Sequence, residues 1–308
     1  MKKCIFAIIF IISSLAFVYG GANSDLALVN SREYGPDQIH SISVRYNSGR
    51  VNIFRAGNES IVVREYMNYS DSDFFAQISE VNGNLTIEEG NRQFMLIKNL
   101  RRRIEIFIPA VENLSITTSS GSIRANGKIT ASFVDLESSS GSITINKIEA
   151  ERVNLKTSSG SIQGDEITGE ATIGSGSGRI TFGAINGNAQ ASSSSGSMDL
   201  GLVSGDIKAK TLSGSIHSEL TENAGDIALT SSSGSVTLKI PKSLHFNYSS
   251  RTSSGRLSTP FSDRLFSPIS DRKLVQGVIG DGEIPESQKQ RNVNITTSSG
   301  SINIHWAK

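Results

Sequence analysis

The sequence predicts an all-β chain: a single-stranded β-solenoid, expected to be a right-handed parallel β-helix of about eleven coils with an irregular N-terminal cap. Three observations predict it. A Ser-Gly-Ser-Ile type corner recurs with its glycine at Gly121, Gly141, Gly160, Gly178, Gly196, Gly214, Gly234, Gly255 and Gly300, and seven of the eight intervals fall between 18 and 21 residues. Apolar and polar residues alternate on both sides of that glycine, the period of two that marks strands. The composition, with 29 glycines, 6 prolines and 6% aromatics among many serines and threonines, describes short strands and tight turns with no long amphipathic helix.

Taken in chain order, the first element is a leader. Lys2 and Lys3 precede a run from Ile5 to Tyr19 that is apolar apart from Ser13 and Ser14, and the small residues Gly20, Gly21 and Ala22 follow. Residues 1–22 therefore read as a secretory signal peptide. The run falls short of the roughly 20 residues that a bilayer span needs, so the expectation is cleavage, no membrane span afterwards, and export to the periplasm or the cell surface. Cys4 is the single cysteine and lies before the apolar run. The mature chain then has neither an internal disulfide nor a lipid-attachment cysteine.

Residues 23–112 read as the cap and irregular first coils. ISVRYNSGRVNIF (42–54) and FAQISEVNGNLTIEE (75–89) keep a corner at Gly49 and Gly83, and IEIFIP (104–109) leads into the regular array. Such a cap protects the open edge of a solenoid. Residues 113–257 are the regular repeats, 258–291 a surface insertion, and 292–308 the final coil.

Counting from the glycine gives the register. Two residues after it stand Ile123, Ile143, Ile162, Ile180, Met198, Ile216, Val236, Leu257 and Ile302, apolar in every coil. Seven and five residues before it the pattern is again largely apolar, with Leu114 and Ile116, Val134 and Leu136, Val153 and Leu155 in the first three coils. A third stretch, marked by Ile129, Ile148, Ile167 and Ile185, completes three inward-facing strands per coil. Strands this short bury too little alone, but as rungs of successive coils they pair in parallel about 4.8 Å apart and stack their apolar side chains into columns. Three residues before the glycine every coil carries a hydroxyl, placed to bond along the axis or to the local backbone. The glycine suits a corner with positive φ or a close backbone approach. A second turn is expected nine residues later, at Gly169, Gly187, Gly205 and Asn223.

The reiterated corners, the entry strand IEIFIP, the segment GVIGDGE (277–283) and the closing TTSSGSINI resemble a family of bacterial β-strand-repeat proteins. That family is a domain of unknown function often labelled an adhesin. The resemblance covers roughly residues 40–305. It implies a β-helix-like fold and an adhesive role, and it transfers no catalytic residue.

The residues themselves carry little chemistry. The balance of 30 Lys+Arg against 29 Asp+Glu gives no long-range field, so neither nucleic acid nor an anionic membrane is expected as a partner. The cluster at 174–178 puts glycine where a G-x-S-x-G nucleophile should stand, and the S-x-x-K match at Ser270 and Lys273 has no companion motif. His40, His217, His245 and His305 lack metal-ligand spacing and read as surface residues. Arg101, Arg102 and Arg103 form a dense basic run, read as a solvated segment before the entry strand with an anion or polysaccharide contact as the alternative.

A carbohydrate-active enzyme would need carboxylates converging on one face, yet Asp165, Glu166, Asp199, Asp206 and Asp226 read as falling at different offsets. No catalytic, cofactor-binding or metal site is therefore expected, and no cofactor. The expected function is an exported, non-enzymatic binding scaffold or adhesin whose partner is a protein or glycan of the envelope or of a host surface. A polysaccharide lyase or hydrolase and a structural or regulatory envelope component are the alternatives.

Overall fold

A computed structural model of the chain describes residues 26–35, 38–57, 60–90, 100–261, 274–279 and 291–307. The leader at 1–22, the S-x-x-K segment and most of the 258–291 insertion lie outside the described residues. Among the described residues twenty-three strands form one sheet, with almost no helix. The fold is all-β and solenoid-like.

The columns stand where the alternation puts them. One apolar ladder runs through Ile123, Ile143, Ile162, Ile180, Met198, Ile216 and Val236, each paired in parallel with the next. All seven are buried, as are the inward residues at 129, 148, 167 and 185. Each such side chain contributes roughly 1.5–3 kcal/mol of burial, spread along a thin continuous core. Where one rung is small a neighbour fills the space: a Cβ on Gly164 would lie 2.3 Å from the Phe182 ring.

Both faces of the corner have a physical cause. The hydroxyl column is buried, and Ser138, Thr157, Thr211, Ser231 and Thr252 each bridge two rungs. Thr211 Oγ1 accepts from the Gly214 N–H at 3.1 Å and donates to the Gly196 carbonyl at 3.3 Å, and Ser231 repeats the pattern with Gly234 and Gly214 at 2.9 and 3.0 Å. At each of those five corners two backbone groups that would otherwise be buried without a partner are thereby satisfied. The glycines are required by close approach, because a Cβ on Gly196 would sit 1.9 Å from the carbonyl oxygen of Gly178. Positive φ occurs instead at the second turn, Gly169, Gly187 and Gly205, and among the corner glycines of the stack at Gly49 in the cap. Asn223 does not continue that turn. The rung is longer there, and Gly225 takes the ladder place with its N–H on the Gly205 carbonyl at 2.9 Å.

At both ends the stacking order departs from chain order. Successive coils were expected to be neighbours, but the strands Arg291–Thr297 and Ile302–Trp306 lie between the 227–240 rung and the 246–258 rung, in parallel register with both. The corner ladder follows the same path, since Thr252 Oγ1 donates to the Gly300 carbonyl at 3.1 Å. At the other end Ser41–Arg45 and Arg50–Arg55 lie between the later strands Asn84–Glu88 and Arg102–Ile108 on one side and Val111–Thr118 and Ser122–Ser138 on the other. The last two strands and the first parallel rung of the described chain are thus clamped inside the stack. Parallel pairing permits this because a solenoid rung needs a partner above and below, whatever its place in the chain.

Antiparallel strands then cover the ends. Ile61–Met67 pairs with Arg102–Ile108, Ala27–Tyr34 with Ile61–Met67, and Gln77–Val81 with Asn84–Glu88. The corner expected at Gly83 is the turn of that last hairpin, with Asn82 and Gly83 both at positive φ. Leu274–Ile279 pairs antiparallel with Phe246–Thr252 at the C-terminal end, where Phe246, Tyr248, Phe261 and Trp306 pack edge to face or tilted and fill the core.

The N-terminal end is closed by charge. Glu65 is fully buried, accepting from the Tyr46 hydroxyl at 2.8 Å and the Ala76 N–H at 2.7 Å. Burial pushes its carboxyl above the usual carboxylate range against those two hydrogen bonds, and pushes the Tyr46 hydroxyl far up as well. Arg102, expected in a solvated run, is buried instead, with its Nη1 2.8 Å from Glu89 Oε1. Its place as an inward residue of an entry strand, beside a buried carboxylate, overrides the surface preference of arginine.

Candidate functional site

The outward residues of the strands that precede each corner form a long polar face, and two shallow troughs are cut into it. The first, of about 420 Å³, has Ala228 in its floor, with Gln190, Lys208, Asp206, Asp226 and Asn294 around it. The second, of about 500 Å³, opens where Gly174 lacks a side chain beside Lys156, Glu137 and Ser192. Thr172 belongs to both. The small residues open these depressions, and the strands beneath hold their walls at fixed spacing.

The acids are less scattered than expected. Asp206 and Asp226 both stand eight residues before their corner glycine, in one column with Asn188 and Asn292. Each side chain of that column accepts from the next rung: the Asp206 N–H donates to Asn188 Oδ1 at 3.0 Å, the Asp226 N–H to Asp206 Oδ1 at 2.8 Å, and the Asn292 N–H to Asp226 Oδ1 at 2.8 Å. Counting backward from the glycine would have found the column, which forward counting hides because rung lengths vary. Amide and carboxylate both fill this role, so the position needs an acceptor for a backbone donor and has no need of charge. Glu170 lines the same trough. The trough therefore holds three carboxylates, two of which are engaged in holding the turn.

Elsewhere the charges pair. Glu149 Oε2 lies 2.6 Å from Lys128 Nζ, and Lys147 Nζ bridges Glu149 and Glu166 at 3.2 and 3.1 Å on an exposed strand face. The lysines hold the Glu149 carboxyl below its usual range, and the glutamates hold the Lys147 ammonium above its own. Burial raises the Asp135 carboxyl, opposed by a hydrogen bond from Asn154. Among the described residues no group of three or more His, Cys, Asp or Glu has metal-binding geometry. His40 and His305 are exposed, while His217 and His245 are half-buried. The corner serines are held by the stack, with the Ser177 N–H on the Ser158 carbonyl at 3.0 Å and the Ser195 N–H on the Gly176 carbonyl at 3.0 Å. No helix of the described residues is long and apolar enough to cross a membrane.

Among curated proteins none matches this chain. Among solved structures, a candidate adhesin from Bacteroides fragilis is similar at 14% identity and a TM-score of 0.43, covering 89% of this chain and 96% of that one. A candidate adhesin from Parabacteroides distasonis is similar at 15% identity and a TM-score of 0.44, with coverage of 68% and 92%. A candidate lipid-binding protein from the same organism is similar at 12% identity and 0.40, with coverage of 89% and 96%. The family model Toastrack DUF4097 matches residues 39–305, a span that holds every corner glycine from Gly49 to Gly300, and the chain belongs to that family.

Proposed function

We propose that this Toastrack chain is an exported, non-enzymatic binding scaffold of the bacterial envelope, delivered by the 1–22 leader and acting in the periplasm or at the cell surface. With it goes a right-handed stack, which the rule for parallel connections favours, of about eleven rungs. The carrying observation is the first trough: a rigid polar depression whose Asp206 and Asp226 already serve as backbone acceptors. A face of amides, hydroxyls and lysines set at strand spacing suits hydrogen bonding to a hydroxylated polymer such as a glycan. The 258–291 insertion is proposed as a second recognition element, since long excursions from a regular scaffold commonly carry function.

The enzyme reading keeps one supporting observation, the meeting of Glu170, Asp206 and Asp226 in one trough. A glycan array probed with the full chain, followed by an assay for released saccharide on every glycan retained, separates the two. The scaffold reading expects a retained glycan, no release, loss of retention in Ala228→Trp, which fills the trough, and unchanged retention in Asp206→Asn/Asp226→Asn, which keeps the acceptors. Release that the double Asn variant abolishes would establish the enzyme reading. An array with no retained glycan would remove the scaffold reading.

A further inference from the structure

The net charge of +1 hides a local asymmetry at the N-terminal end. Four strands lie side by side there, in the order Ile61–Met67, Arg102–Ile108, Arg50–Arg55 and Ser122–Ser138. Their inward residues, among them Val63, Ile104, Ile53 and Ile123, are buried. The alternate residues share the outer face. Register places Arg103 beside Arg50, and sets Arg64, Glu105, Asn52 and Arg124 in one row across the four strands. Phe107 and Phe54 follow in the next row, stacked with ring centroids 4.9 Å apart and 17° between their planes.

This row gathers cations that are not spent in ion pairs. Lys128, Lys147, Lys156 and Lys239 each lie in an ion pair. Arg50, Arg64 and Arg124 are exposed and none forms an ion pair among the described residues. Two of the guanidinium groups lie over rings: Arg64 lies 5.1 Å from the Phe107 centroid, and Arg103 lies 4.4 Å from that of Tyr66. Stacking of this kind orders a guanidinium and leaves its N–H groups free to face outward. Among the described residues the acids of the face are Glu105, which Arg103 meets at 3.0 Å, and Glu33 on the bordering strand Ala27–Tyr34.

We propose that this face binds an acidic polysaccharide, a chain that bears carboxylate or sulfate groups. The proposal rests on the binding-scaffold reading and names a ligand class and a place distinct from the troughs. Charge complementarity carries it, since the unpaired arginines outnumber the unpaired acids and arginine presents paired donors that fit carboxylate and sulfate oxygens. The outer strands of the row are three interstrand steps apart, about 14 Å at about 4.8 Å per step, a span that an extended anionic chain can follow. Nucleic acid fits less well. Phe107 is enclosed between Phe54 and Arg64, and Arg103 lies over Tyr66, so little open ring surface remains for bases to stack on.

Titration calorimetry of the full chain with polygalacturonate oligomers and with dextran sulfate tests this, with neutral dextran and single-stranded DNA alongside. The expected result is salt-sensitive binding to the two acidic polysaccharides, reduced about tenfold or more by Arg50→Glu/Arg124→Glu. The corner pair Arg179→Glu/Arg256→Glu, which removes as much charge from exposed positions elsewhere, should change binding less than about twofold. If the first pair fails to fold, Arg50→Gln/Arg124→Gln replaces it with the same expected direction. Failure to bind either acidic polysaccharide, equal losses from the two pairs, or equally tight binding of DNA would each overturn the proposal. A chain that binds neither yet retains a glycan through the Ala228 trough loses this proposal and keeps the scaffold reading.

Discussion

Gly196→Ala is expected to destabilise the chain by about 3 kcal/mol or more, while Ser195→Ala, one residue earlier in the same corner, stays within about 0.5 kcal/mol. The difference comes from the stacking of the corners. A Cβ on Gly196 would lie 1.9 Å from the Gly178 carbonyl oxygen and 2.9 Å from Ser193 Oγ. The first is backbone, and it cannot move away without breaking parallel hydrogen bonds to the rungs on either side. The second would disturb the hydroxyl that accepts from the Gly196 N–H at 2.8 Å. Ser195 projects outward and is exposed, so removal of its oxygen costs nothing inside the stack. Chemical denaturation followed by circular dichroism reads both variants. Equal effects would mean that the corners are not in contact along the axis.

The second large effect belongs to the apolar column. Ile162→Asp should cost at least about 4 kcal/mol, because it places a carboxylate between Ile143 and Ile180 with no partner to satisfy it. The neighbouring Gln163→Asp should be nearly silent, since Gln163 is exposed and lies beside Thr144 and Thr181. The same substitution one residue apart thus separates inside from outside. Thermal melts of the two variants measure it, and equal losses would remove the register.

Much of the solenoid was legible because its determinants are local and repeated. A period of two, a glycine at fixed spacing and a hydroxyl three residues earlier each follow from one rung meeting the next. Every inward position named by counting from the glycine is buried apart from Leu257, whose two-residue strand, among the described residues, has a partner on one side only. The interleaving of the ends was not legible, because parallel rungs with the same column residues can exchange neighbours without altering any local pattern. Val236 meets Ile302 in place of Leu257, an exchange of one aliphatic partner for another. The buried Glu65 and Arg102 were hidden for a different reason. Their partners Tyr46, Ala76 and Glu89 come from separate segments, each just outside a strand, and nothing in the spacing announces a charged core. Of the candidate sites, the acceptor column was present in the sequence at a fixed offset. The arginine face was not, since Arg50 stands between Arg103 and Arg124 only because the first rung is inserted between two later ones.

Both proposed surfaces therefore depend on the interleaved order: the Asn292 and Asn294 walls of the first trough stand beside Asp226 and Ala228 for the same reason. The direct test is disulfide formation between paired cysteines on outward positions, in a Cys4→Ser background. Thr296 is the cross-strand neighbour of both Thr230 and Arg251, at about 4.8 Å on each side, within the Cα separation that a disulfide accepts. Thr230 and Arg251 are then two steps apart, about 10 Å, beyond that reach. Interleaving predicts that Thr230→Cys/Thr296→Cys and Arg251→Cys/Thr296→Cys oxidise to intramolecular disulfides while Thr230→Cys/Arg251→Cys does not. A disulfide in the third pair, with none in the first, would mean that the rungs stack in chain order and would contradict the account.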